Sequence, residues 1–242
     1  KPLPIVIGES DPDGCAACQG PQLGYRNTTM YASYTAASMA RLHDLADRHG
    51  ANLEGALTWA FEFENQPYFA GFRALASNGI ALPVLNVFRA FARLGGNRVA
   101  ATSDAVVPLD AIVKTGVRDR PDVSALASRD GRTVSILVWH YHDDDVPGPD
   151  AEVQLTVEGL PVRQAEARLT HFRIDAAHSN AHTAWLRMGS PQTLTGSQQA
   201  ELKKAGQLQA MPAPAPVAVL DSRSTITFTL PRQAVSLLVI EM

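Results

Sequence analysis

Long apolar runs are missing from this 242-residue chain. No stretch approaches the roughly 18 apolar residues of a membrane span, so none is expected. An excess of one charge sign is missing too. Lys and Arg number 21 against 24 Asp and Glu, a formal charge of −3. No basic stripe or Lys/Arg run appears, which argues against a nucleic-acid partner. Cysteine is scarce: Cys15 and Cys18, in Cys-Ala-Ala-Cys, are the whole supply. A structural zinc site needs a second ligand pair of this kind, and a thioredoxin-type motif should open a helix. Gly14, Gly20 and Pro21 instead mark a loop. The pair is read as structural or incidental, open to forming a disulfide. No phosphate loop, G-x-S-x-G motif or dinucleotide fingerprint occurs. No internal repeat is convincing. No basic region followed by an apolar block stands at the start, so no signal peptide is expected.

What remains is an ordinary globular composition, 45% hydrophobic, which fits one large domain or two of moderate size. Ile5, Val6 and Ile7 run without a polar break, as in a parallel strand buried on both faces. Gly8, Glu9 and the turn-forming Ser10-Asp11-Pro12 follow. Residues 10–27 read as a long loop. Asn27 and Thr28 supply helix-start chemistry, and Met30 to Arg48 is a helix stopped by His49-Gly50. Leu53 to Glu64 reads as a second strand. Pro83 opens a second helix through Leu94, ended by Gly95-Gly96. Residues 1–96 are therefore two βα units of a parallel sheet.

After Gly96 the grammar changes. Val99–Val107 is strand-like. Val123–Ser128 and Thr133–His142 flank Arg129-Asp130-Gly131-Arg132, a hairpin signal. Val153–Val157, Ala167–Ile174, Thr225–Leu230 and Val235–Ile240 add strands. A helical stretch near 193–206 and a proline-rich loop, Met211 to Pro216, interrupt them. Residues 97–242 are expected to form an antiparallel β-sandwich. Two βα units cannot close a barrel, which takes about 250 residues, and alone they leave apolar faces bare. Lys1 also leads almost directly into a strand. A preceding N-terminal segment, or a partner chain, is expected to complete this half.

Glu9 stands where the first strand ends, the edge at which α/β barrels carry their chemistry. A carboxylate there is placed to act as nucleophile or base; a helix cap or a solvated side chain is the plainer alternative. Glu62 and Glu64 lie at the end of the second strand, expected on one side with Phe61 and Phe63 on the other. With Trp59 and Phe61 they combine carboxylates and aromatic faces, the pairing that holds sugars; a core role for the rings and a solvated role for the acids is the alternative. His140 and His142 share a strand face, but the acidic turn after them suits a strand leaving the core better than a metal site. No metal is expected.

The run Ile7-Gly8-Glu9-Ser10-Asp11-Pro12 resembles the nucleophile segment of family 39 glycoside hydrolases, the β-xylosidases and α-L-iduronidases. The likeness extends through the tyrosine-rich helix that follows (Tyr25, Tyr31, Tyr34), through Leu57 to Glu64 and Pro83 to Leu94, and into Trp139-His140-Tyr141-His142-Asp143. The resemblance implies the last βα units of a (β/α)8 barrel (residues 1–96) followed by a β-sandwich accessory domain (97–242). It implies a retaining exo-glycosidase that needs no cofactor, most simply a β-D-xylosidase acting on xylo-oligosaccharides, with an α-L-iduronidase role as the near alternative. A non-catalytic carbohydrate-binding or structural module is the alternative from another class. Carried over, Glu9 is the nucleophile, and Glu62, Phe61, Glu64 and Trp59 contact substrate. The family's acid/base sits in Asn-Glu-Pro, which this chain lacks; it is expected on the N-terminal barrel segment, the partner these residues need. An iduronate carboxylate would need a cation, for which Arg73 is the candidate. The compartment stays open, with a bacterial cytoplasm favoured over the periplasm.

Overall fold

The computed structural model describes residues 3–160, 166–212 and 216–242. Lys1 and the centre of the proline-rich loop lie outside the described residues. In chain order the elements are β1 (Ile5–Ile7), α1 (Thr29–His49), β2 (Leu53–Ala56), β3 (Ala76–Ser77), β4 (Ile80–Ala81), α2 (Pro83–Phe91), β5 (Asn97–Val99), α3 (Leu109–Thr115), β6 (Asp122–Asp130) and β7 (Thr133–Tyr141). Then come β8 (Ala151–Glu158), β9 (Glu166–Ile174), α4 (Ala181–Arg187), α5 (Gly196–Ala205), β10 (Gln209–Ala210), β11 (Val217–Ala218), β12 (Arg223–Leu230) and β13 (Val235–Glu241).

The first half is built on a parallel pair, β1 with β2. The intervening α1 starts at Thr28, whose hydroxyl accepts from the Met30 amide at 3.1 Å, and stops at Gly50 in the left-handed conformation, φ 61°. Small residues let it pack closely: Ala32, Ala36, Ala37 and Ala40 are buried against α2 and the large sheet. Two expectations fail here. β1 is not buried on both faces: Ile5 is 46% and Val6 59% exposed, because β1 pairs with β2 alone among the described residues. The second strand ends at Ala56 rather than Glu64. Past that point the chain turns to meet Arg73, whose carbonyl accepts from the Phe61 amide at 3.1 Å. Phe61 to Glu64 therefore lie outside any strand, although the rings of Phe61 and Phe63 still meet on one side.

The second half is two packed sheets. A seven-stranded antiparallel sheet runs β10-β9-β13-β7-β6-β5, with β11 also on β9, and a two-stranded sheet pairs β8 with β12. Gly131, at φ 55°, makes the turn between β6 and β7, a conformation glycine adopts without the Cβ penalty. The strand expected over Val99–Val107 shrinks to β5, and a short helix, α3, follows it. The central strands β7 and β13 are buried on both faces. Ile136, Val138, Leu238 and Ile240 pack toward β8 and β12. Leu137, Trp139, Val235 and Leu237 pack toward α1 and α2. One sheet thus serves two cores, and the helices of the first half roof the second. A third core joins Tyr31, Phe69, Ile80 and Leu82 to α4 and α5.

Candidate active site

The parallel pairing of β1 and β2 continues past both strands: the Leu57 amide donates to Ile7 O at 2.9 Å and the Ser10 amide to Leu57 O at 2.8 Å. That ladder fixes the segment carrying Glu9. The Glu9 side chain is 36% exposed. Its Oε1 accepts from Nη1 of Arg73, while Oε2 has no protein partner among the described residues. One carboxylate oxygen is anchored and the other is open.

Arg73 is completely buried, and the same Nη1 reaches Asp11 Oδ2 at 2.9 Å. Its Nη2 donates to the Asp13 carbonyl at 2.7 Å. Burial works against the guanidinium charge, but the bond to Glu9 and the charge of Asp11 outweigh it and hold the group above its ordinary value. Asp11, 1% exposed at its side chain, is the hub. Its Oδ1 accepts from the Tyr31 hydroxyl at 2.7 Å and from Thr58, and its Oδ2 accepts from the Trp59 amide at 2.7 Å. Burial, aided by Asp11, pushes the Tyr31 hydroxyl well above its usual range, so it stays a donor.

A second buried cation backs the first. Arg26 pairs with Asp13, which also accepts from the Tyr25 hydroxyl. Burial alone would raise the Asp13 carboxyl, but hydrogen bonds from Arg26 and Tyr25 prevail and hold it below its ordinary value. Arg26 also donates to Cys15 O at 2.6 Å and Cys18 O at 2.9 Å, and the Arg73 amide donates to Ala16 O at 3.0 Å. Cys15 and Cys18 are disulfide-bonded. The Cys-Ala-Ala-Cys loop is thus a ring of carbonyls turned onto the two arginines.

The other expected residues are placed as follows. Trp59 and Phe61 are 50% and 43% exposed, with ring centres 5.5 Å apart, edge to face. Phe63 continues the ladder and stacks on Phe72 at 4.3 Å. Trp59 adjoins the Glu9 network through its amide bond to Asp11. Glu62 accepts from the Gly79 amide at 2.8 Å and so braces the turn between β3 and β4. Glu64 is exposed. Both ring nitrogens of His142 are taken, Nε2 by Arg118 O at 2.8 Å and Nδ1 by the Asp144 amide at 3.0 Å. His140 is buried, bonds Leu230 O at 3.0 Å, and is pushed below its ordinary value by that burial. No group of metal-binding side chains occurs among the described residues, and no helix there is long and apolar enough to cross a membrane. The sandwich aromatics Trp139 and Tyr141 are buried in the core and offer no sugar-binding strip.

Asp11, Asp13 and Arg26 join the site without having been expected there. The available signal was spacing: carboxylates at every second position, 9, 11 and 13, with isolated arginines at 26 and 73.

The chain matches the family description "Glycosyl hydrolases family 39" over residues 1–219. No curated protein sequence matches it significantly. Among solved structures it is similar to a monomeric β-xylosidase from Caulobacter crescentus CB15, with TM-score 0.70 at 20% identity over 99% of this chain and 45% of that one. It is similar to the GH39 enzyme from Xanthomonas axonopodis pv. citri, with TM-score 0.69 at 20% identity over 93% of this chain and 43% of that one. A bacterial orthologue of human α-L-iduronidase gives TM-score 0.77 at 20% identity over 99% of this chain and 42% of that one. At these identities the likeness shows the fold, and the chain spans less than half the length of each protein.

Proposed function

This chain belongs to glycosyl hydrolases family 39, and from that membership we propose that it carries the nucleophile of a retaining exo-glycosidase, a β-D-xylosidase that releases terminal xylosyl residues from xylo-oligosaccharides. The observation that carries the reading is the Glu9 carboxylate: at the C-terminal end of a parallel strand, with Oε1 held by Arg73 and Oε2 open. In this mechanism Oε2 attacks the anomeric carbon as the leaving oxygen takes a proton, forming a glycosyl–enzyme ester. Water, deprotonated by the same acid/base, then releases the sugar with its configuration retained. The acid/base, about 5–5.5 Å from the nucleophile in such enzymes, lies outside these 242 residues, which contain no Asn-Glu-Pro. On this account residues 1–96 are the last two βα units of a (β/α)8 barrel, residues 97–242 are its accessory sandwich, and the exposed Ile5 and Val6 meet the rest of the barrel. The 242 residues alone are then inactive. Trp59 and Phe61 offer aromatic faces to the sugar, and Glu62 and Glu64 take its hydroxyls, Glu62 with the oxygen that Gly79 leaves free.

Specificity for a neutral sugar is supported by Arg73. Its guanidinium already serves Glu9, Asp11 and Asp13, so it is not available to a uronate carboxylate. The test is Glu9→Ala in the intact protein, assayed on an aryl β-xyloside. Turnover should fall on the order of 10⁴-fold, and azide should restore it while giving the α-xylosyl azide. Turnover near the wild-type rate would reject the assignment.

A further inference from the structure

The fold spends a fully buried arginine on a single oxygen of Glu9, and the sugar-facing groups account for none of it. Arg73 is fixed from four directions. Its amide donates to Ala16 O at 3.0 Å and its carbonyl accepts from the Phe61 amide at 3.1 Å. Its Nη2 is held by Asp13 O at 2.7 Å, and its Nη1 by Asp11 Oδ2 at 2.9 Å. Asp11 is itself clamped by Tyr31 and the Trp59 amide. A guanidinium with its backbone and both terminal nitrogens pinned cannot follow a moving partner. Glu9 is the one member of the cluster with a substantially exposed side chain, 36% against 1% for Asp11 and 24% for Asp13. It is therefore the member that would otherwise sample several rotamers.

We propose that Arg73 is the positioning residue for the nucleophile: it pins Oε1 of Glu9 so that Oε2 alone meets the anomeric carbon along one line of approach. This role rests on the reading of Glu9 as nucleophile. The planar fork is what the task needs, because two acceptors, Glu9 and Asp11, share one terminal nitrogen while the other nitrogen grips the backbone. A lysine ammonium is a point charge on a flexible stem and keeps the charge without the fork. Misplacement of a reacting group by about 1 Å costs on the order of 100-fold in rate. The cost should fall on kcat, since Arg73 is out of reach of the substrate.

The experiment compares Arg73→Lys in two backgrounds of the intact protein, using 2,4-dinitrophenyl β-xyloside, whose leaving group needs no acid. In the otherwise wild-type protein kcat should drop about 100-fold with KM changed less than about threefold. In the Glu9→Ala protein rescued by azide, where the nucleophile comes from solvent, the same substitution should change the rate less than about threefold, because Arg73 then has no carboxylate to aim. Equal losses in both backgrounds would make Arg73 a structural residue only, and no loss in the first would remove the role outright. If Arg73→Lys does not melt cooperatively, Arg73→Gln, which retains a neutral donor, is measured the same way with the same outcomes. Mass-spectrometric labelling of the wild type by a 2-deoxy-2-fluoro xyloside separates the two claims. Turnover without label on Glu9 overturns the nucleophile reading and this role with it. Labelled Glu9 with an indifferent Arg73→Lys overturns the positioning role alone.

Discussion

The two ends of this molecule are held together by opposite means. In the sandwich, β7 and β13 bury near-continuous apolar strands in register, with Leu237 opposite Leu137 and Phe172. At the head of β1 the backbone is irregular, and five charged side chains, Glu9, Asp11, Asp13, Arg26 and Arg73, do the work of packing. Apolar burial is non-directional and tolerates small shifts. Buried charges demand partners in fixed places, and leaving one unpaired is costly. The sandwich is therefore built for stability, and the strand head for geometry.

The largest loss is expected at Asp11. Asp11→Ala leaves Arg73 buried beside a lost partner and should cost about 3–5 kcal/mol, measured by urea unfolding. A loss below about 1 kcal/mol would mean that water takes the place of Asp11 beside Arg73. In the sandwich, Leu237→Ala, at a site 1% exposed, should cost about 2–5 kcal/mol by leaving a cavity. Turnover per folded molecule should survive in Leu237→Ala and fail in Asp11→Ala, which separates packing from aiming.

Acid sharpens the contrast. Burial holds His171 and His182 down at about 4, against an ordinary value of 6.5. Between those values the unfolded chain binds protons that the folded one refuses. Stability is therefore complete above about pH 6.5, falls as pH drops, and levels off below about pH 4, by roughly 3 kcal/mol per imidazole. Asp13, with its carboxyl held down, adds a loss only below its ordinary 3.8. Thermal melting from pH 7 to 4 follows the imidazoles, and His182→Leu should flatten the slope; an unchanged slope would contradict the assignment. The smallest effect is expected at the disulfide. Cys15→Ser opens a short ring and should cost about 2 kcal/mol by loop-closure entropy, read as a lowered urea midpoint. No change at all would mean that the arginines hold the loop without it.

The sandwich was legible because its signals are local. Alternation in Val153–Val157 and Ala167–Ile174, the near-continuous apolar runs of β7 and β13, and the glycine turn at Gly131 declare strands within a few residues of themselves. The cap of α1 at Thr28 is equally local. The strand head was legible only in part. Glu9 stood out by its place after Ile5–Ile7. Its partner is 64 positions away, and no periodicity links two such residues. Leu57 to Glu64 misled for a related reason. Its aromatic composition suits a strand, but past Leu57 the chain leaves β1 and the Phe61 amide turns to the Arg73 carbonyl, while the rings of Trp59, Phe61 and Phe63 meet edge to face. The short α3 and α4, of 7 residues each, fall below the length at which helical spacing is readable.

Covalent trapping is the decisive test of Glu9 as nucleophile. The intact protein is incubated with a 2-deoxy-2-fluoro xyloside bearing a good leaving group, digested, and the modified peptide is sequenced by mass spectrometry. One fluoroxylosyl ester per molecule is expected, on Glu9, formed at a much reduced rate in Arg73→Lys. A label on any other carboxylate, Glu62 and Glu64 included, would contradict it.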